Sequence, residues 1–123
     1  MGLDIRIKGL EGNTYHGSYS SFGAYRICVA IAFNQRIGEL YKKSSYTELN
    51  TEEIDEWNCL CNEDLDLFLW HSDCDGEIKS KQCKKIYNVL KDIHVQKEYK
   101  DIHQLWIKMF KYCYKQKKTM YFD

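Results

Sequence analysis

The segment His71-Ser72-Asp73-Cys74-Asp75-Gly76-Glu77-Ile78 gathers an imidazole, a thiol and three carboxylates around one turn-forming glycine. The pattern D-x-D-G-x-I is the middle of an EF-hand calcium loop, where alternate oxygen ligands precede a sharp bend and an apolar residue locks the loop down. Taking Asp73 and Asp75 as loop positions three and five puts His71 at position one and Gln82 at position twelve. The first position wants an Asp and the last a bidentate Glu, so the match covers only the centre of the loop. Asp73, Asp75 and the backbone of Glu77 are the metal candidates, with a divalent cation as the expected ion if any is bound. A transition-metal version would use His71 with Asp73 and Cys74. Against a metal stands a simpler use of the same residues: short polar side chains that accept nearby backbone N–H groups and tighten a loop without an ion.

Enzyme chemistry is a further option here. His71 oriented by Asp73 has the makings of a general base, and Cys74 beside His71 those of a nucleophile. Adjacent residues rarely reach that geometry, and no G-x-S-x-G, Walker or Rossmann fingerprint accompanies them. A metal-dependent hydrolase using His71, Asp73 and Asp75 is therefore the third reading, after a binding protein and a divergent EF-hand-like module.

The second concentration is aromatic. Tyr15, Tyr19, Tyr25, Tyr41 and Tyr46 crowd the N-terminal half near Arg26 and Arg36, two of the three arginines in the chain. Aromatic faces with guanidinium groups suit a pocket that stacks a base and holds a phosphate. An ordinary tyrosine-rich core edge would look the same in sequence. The ligand-binding candidates are Tyr19, Arg26, His71, Asp73 and Asp75.

At 123 residues the chain fits one domain spanning 1–123 with a core that needs no staples. Formal net charge is zero, which argues against a general nucleic-acid binder. The charges are segregated, however: every charged residue from Glu48 to Glu77 is acidic, whereas Lys dominates from Lys79 onward. Two complementary surfaces are the simple interpretation. No apolar run approaches a membrane span. The N-terminus lacks a basic region followed by an apolar run, and Arg6 stands where a myristoylation signal needs Ser or Thr; no leader or lipid anchor is expected. The six cysteines are expected as free thiols in a reducing cytoplasm, with Cys28, Cys83 and Cys113 on apolar helix faces.

Leu3-Asp4-Ile5-Arg6-Ile7-Lys8 alternates as a half-buried strand. Ser18 to Ser21 offers N-caps for a helix over about 21–33, and Gly38 to Asn50 reads as a polar loop, with a short extra element around Leu40 and Tyr41 as the alternative. Asn50-x-x-Glu53 is a capping box for a short acidic helix. Residues 62–69 are ambiguous between helix and strand, and helix is preferred because it completes a helix-loop-helix around 62–95. Cys83, Ile86, Tyr87, Leu90 and Ile93 form one stripe, and Ile102, Leu105, Trp106, Met109, Phe110 and Cys113 another. Thr119 to Phe122 is a short strand that pairs with Leu3 to Lys8. The expected fold is α+β: about four helices around one core, with a small sheet made by the two terminal strands.

The opening Met1-Gly2-Leu3-Asp4-Ile5, the segment Ser18 to Arg26, and above all His71-Ser72-Asp73-Cys74-Asp75-Gly76 resemble a family of small uncharacterised bacteriophage and bacterial proteins. The likeness spans most of the chain. It carries no established activity, but small phage proteins of this kind often act on host machinery, and the leading expectation is a non-enzymatic phage-type binding protein in the host cytoplasm that counters defence by sequestering a small nucleotide-like immune signal or a host defence protein. A homo-oligomer is compatible with it.

Overall fold

The computed structural model describes residues 2–123; Met1 lies outside the described residues. Its order is β1 (Gly2–Arg6), β2 (His16–Ser18), α1 (Tyr19–Phe33), α2 (Gln35–Ser44), α3 (Thr51–Leu60), α4 (Glu63–Leu69), β3 (Glu77–Ile78), α5 (Ser80–Leu90), α6 (Lys100–Gln116) and β4 (Met120–Phe122), with a single 3-10 turn at Lys97–Tyr99 before α6. The fold is α+β, with six α-helices beside one four-stranded antiparallel sheet in the order β2-β1-β4-β3.

The terminal strands pair as the alternation of Leu3, Ile5 and Ile7 predicts. Ile5 stands opposite Phe122 and Arg6 opposite Tyr121. Asp4 and Asp123 exchange both backbone hydrogen bonds, at 3.1 and 2.9 Å, and the Arg6 guanidinium pairs with the Asp123 carboxylate. Leu3, Ile5, Met120 and Phe122 are buried and turn one face of the sheet to the helices.

Trp106 is the centre of the core. Its indole lies 5.2 Å from Phe22, 5.3 Å from Phe68, 5.4 Å from Tyr15 and 5.8 Å from Phe110, joining α1, α4, α6 and the loop before β2. The two sequence stripes are its walls: Cys83, Ile86 and Leu90 of α5 and Met109, Phe110 and Cys113 of α6 are all buried.

Six helices stand where about four were expected, and the one that local pattern did not announce is α2, which takes up most of the segment read as a loop. Asn34 is at once the C-cap of α1, donating to Ala30 O at 3.1 Å, and the N-cap of α2, its side chain accepting from Ile37 N–H at 3.1 Å. Gly38 allows the tight hairpin, since a Cβ there would lie 2.4 Å from Ile31 Cγ1 and 2.7 Å from Ile31 Cα. A glycine that suggests a break in sequence is here a close approach of two helices. The acidic helix α3 starts at the expected capping box, with Asn50 Oδ1 accepting from Glu53 N–H at 2.8 Å and Glu53 accepting from Asn50 N–H at 3.0 Å. Residues 63–69 are helical, with Asn62 Oδ1 accepting from Asp64 and Leu65.

Candidate functional site

The His71–Gly76 loop leaves α4 and enters β3, and most of its polar groups close the loop on itself. His71 Nδ1 lies 2.9 Å from Ser72 O and Nε2 lies 3.3 Å from Glu77 O, so each ring nitrogen faces a backbone carbonyl. The ring also packs on Phe122, with centroids 4.0 Å apart. Ser72 Oγ accepts from Cys74 N–H at 3.3 Å, and Gly76 O accepts from Phe122 N–H at 2.9 Å. Gly76 has φ +91°, and a Cβ on it would lie 3.2 Å from His71 Cε1. His71 is thus a brace between the loop and β4. Gln82, the residue at loop position twelve, accepts from Lys79 N–H at 3.1 Å and lies in the first turn of α5.

Arg26 is folded into the other end of this loop. The residue is only 8 % exposed; Nη1 donates to His71 O at 2.6 Å and to Phe68 O at 3.2 Å, satisfying carbonyls at the C-terminus of α4. Its guanidinium stacks on Phe22 at 4.2 Å. Burial lowers its pKa, and the negative charge of Asp73 acts in the opposite direction. Tyr41 adds a further hydrogen bond, from Oη to Leu69 O at 2.7 Å. Arg26 is therefore joined to the acidic loop, chiefly through main-chain oxygens.

Tyr19 begins α1 and is half-buried, two turns and about 10 Å along the axis before Arg26. Asp73 is half-buried, while Asp75 and Glu77 are exposed; the Asp73 and Asp75 carboxylates make no hydrogen bond or salt bridge among the described residues. Their expected role as acceptors of loop amides is filled instead by Ser72. Among the described residues no three His, Cys, Asp or Glu side chains come close enough together to hold a metal ion. Cys28, Cys83 and Cys113 are buried as their positions on apolar faces predict, while Cys59 and Cys74 are exposed and all six are free thiols.

A larger concavity lies elsewhere, where α6 meets the β1–β2 loop. This cleft of about 750 Å³ is lined by Leu10, Asn13 and Thr14 on one side and by Leu105, Met109 and Tyr112 with three lysines on the other. Lys108, Lys111 and Lys115 recur at i, i+3 and i+7, within one arc of α6 beside its apolar stripe. Lys115 also lies over the Tyr114 ring, at 5.3 Å. The facing loop is held in consecutive turns: Leu10 N–H donates to Ile7 O at 3.0 Å and Asn13 N–H to Leu10 O at 2.9 Å. Gly9, at φ +100°, packs so closely on α6 that a Cβ would lie 2.1 Å from Tyr112 Oη. Tyr15 N–H points at Met109 Sδ, 3.3 Å away, at the end of the loop. The backbone N–H groups of Glu11 itself and of Gly9 hold the Glu11 carboxyl below the usual carboxylate range.

None of the candidate residues chosen from sequence lines this cleft. The signal that could have found it is the lysine spacing along α6, which sets three ammoniums beside one apolar stripe. The other buried polar cluster is structural. His103 lies within 3.1 Å of Leu90 O and 3.0 Å of Ile93 O through Nε2, while Nδ1 faces Tyr25 Oη at 2.8 Å. The arrangement places the proton on Nε2, with the Tyr25 hydroxyl donating to Nδ1. Burial lowers the His103 pKa below its ordinary value.

No helix among the described residues is long and apolar enough to cross a membrane. Comparison with protein-family models, curated proteins and solved structures returns no match.

Proposed function

We propose that the protein is a non-enzymatic binding protein whose ligand is a small phosphorylated, nucleotide-like molecule held in the α6 cleft. The observation that carries this reading is the pairing of an apolar floor, Leu10, Leu105 and Met109, with Lys108, Lys111 and Lys115 in a concavity of about 750 Å³. That volume falls in the range of small-molecule sites, and lysine ammoniums bind phosphate as point charges. Asn13, Thr14 and Tyr112 supply neutral hydrogen-bonding groups for a sugar or base. Ammonium and amide groups neutralise and orient an anion, which suits retention of the ligand.

Resemblance to small phage proteins makes the nucleotide signals of host immunity the ligand class to try first, with sequestration in the host cytoplasm as the mode of action. Isothermal calorimetry with a cyclic dinucleotide, ADP-ribose and pyrophosphate tests it. Saturable, salt-sensitive binding with the ligand recovered intact after heat denaturation is the expected result. Absence of heat with all three discards the reading, and a cleaved ligand replaces it with a hydrolase.

A further inference from the structure

Trp70, the residue that ends α4, is 48 % exposed, a large apolar surface to leave in water. Its ring is not loose. It rests against Tyr41 at 5.0 Å and Trp57 at 5.3 Å, both buried, and those two rings lie 6.1 Å apart. Each supporting ring is itself fixed by its polar end: Tyr41 Oη on Leu69 O at 2.7 Å, and Trp57 Nε1 on Asp66 Oδ1 at 2.7 Å. An exposed indole held by two immobilised aromatics has little side-chain entropy left to lose, which is how interface hot spots are built.

The charge around it has one sign. Asp66 lies one turn before Trp70 and Asp73 three residues after it, inside the run from Glu48 to Glu77 that holds no cation. Of the cations on α2, Arg36 and Lys43 are already engaged, whereas Lys42 is exposed and makes no ion pair among the described residues. Arg36 donates to Glu56 at 2.8 and 2.9 Å and to Glu39, and Lys43 to Glu53 at 2.6 Å. Arg26 is buried against carbonyls and Phe22. Asp73 and Asp75 take part in no salt bridge among the described residues.

We propose that the Trp70 face is a docking surface for an arginine-bearing segment of a partner protein. An indole is the best ring for a cation–π contact, and guanidinium both stacks on an indole and forks to a carboxylate, as Asp66 and Asp73 would require. A second copy of this chain is a poor occupant. Its Arg6 and Arg36 are paired with Asp123 and Glu56, and its Arg26 is buried.

The test uses a short peptide alternating arginine and serine, with a lysine-serine peptide as its match in charge. Chemical-shift mapping on the intact protein should place the arginine peptide on the Trp70 indole, Tyr41 and Asp73. Trp70→Ala should weaken binding about tenfold and the lysine peptide should bind about threefold more weakly than the arginine peptide. Trp70→Phe, which keeps the packing, should fall between wild type and Trp70→Ala. Asp73→Asn should weaken binding more than Asp55→Asn, since Asp55 lies two residues from Trp57 and so on the opposite side of α3. Equal affinity for wild type and Trp70→Phe, equal effects of the two aspartate variants, or self-association that depends on Trp70 would each overturn the assignment.

Discussion

The loop at His71–Gly76 and the cleft on α6 hold similar numbers of ionisable groups and dispose of them differently. In the loop, His71 faces two carbonyls and the neighbouring Arg26 two more, so these two groups are structural ties, whereas the Asp73 and Asp75 carboxylates stay unpaired among the described residues. In the cleft, Lys108 and Lys111 make no ion pair among the described residues and stand beside the partly buried Leu10 and Leu105. Density of reactive residue types along a chain therefore does not say which of their polar atoms remain available after folding.

The comparison can be broken first at Arg26. Arg26→Met removes the donor of Phe68 O and His71 O, and urea unfolding should show a loss of about 2–4 kcal/mol. Affinity for a cleft ligand, measured at a temperature where the variant is folded, should be unchanged. Replacing Lys108, Lys111 and Lys115 together by Gln should do the reverse: ligand affinity falls by about one to two orders of magnitude while the melting temperature moves by only a few degrees, as for exposed charges. Gly76→Ala should cost about 1–2 kcal/mol, from φ +91° and the contact with His71, with no effect on ligand affinity.

Acidification gives a further distinction. Burial depresses the His103 pKa in the folded state, so below the ordinary imidazole value the unfolded chain binds more protons than the native one. Stability is full above about pH 6.5 and declines as pH falls below it. A His103→Gln variant should be less stable throughout but lack that slope, which urea titrations between pH 5 and 8 would reveal. The smallest effect belongs to Asp73→Asn and Asp75→Asn. Neither carboxylate has a partner among the described residues, so each change should stay within about 0.5 kcal/mol. A calcium-induced rise in melting temperature that these two variants abolish would revive the metal reading of the loop.

Much of the fold was legible from local pattern. Alternation at Leu3 to Ile7, the Asn50–Glu53 capping box and the two apolar stripes of α5 and α6 each announce their element, because each depends on neighbours within a few residues. Helix α2 was hidden because Gly38 and a serine-rich tail mimic a loop, and only packing against Ile31 explains that glycine. Strands β2 and β3, of three and two residues, are too short to show a period and exist because β1 and β4 offer them edges. The cleft was hidden for a related reason: its walls, 10–14 and 105–115, are some ninety residues apart in sequence. The burial of Arg26 was also invisible, since its partners are main-chain oxygens that every residue carries.

One measurement reaches the central claim directly: amide and lysine ammonium shifts recorded while ADP-ribose, a cyclic dinucleotide or pyrophosphate is titrated into the protein. The account predicts perturbations at Leu10, Asn13, Thr14 and across Leu105 to Lys115, with His71 to Glu77 unmoved. Shifts confined to His71, Asp73 and Asp75, with the lysines of α6 silent, would contradict it.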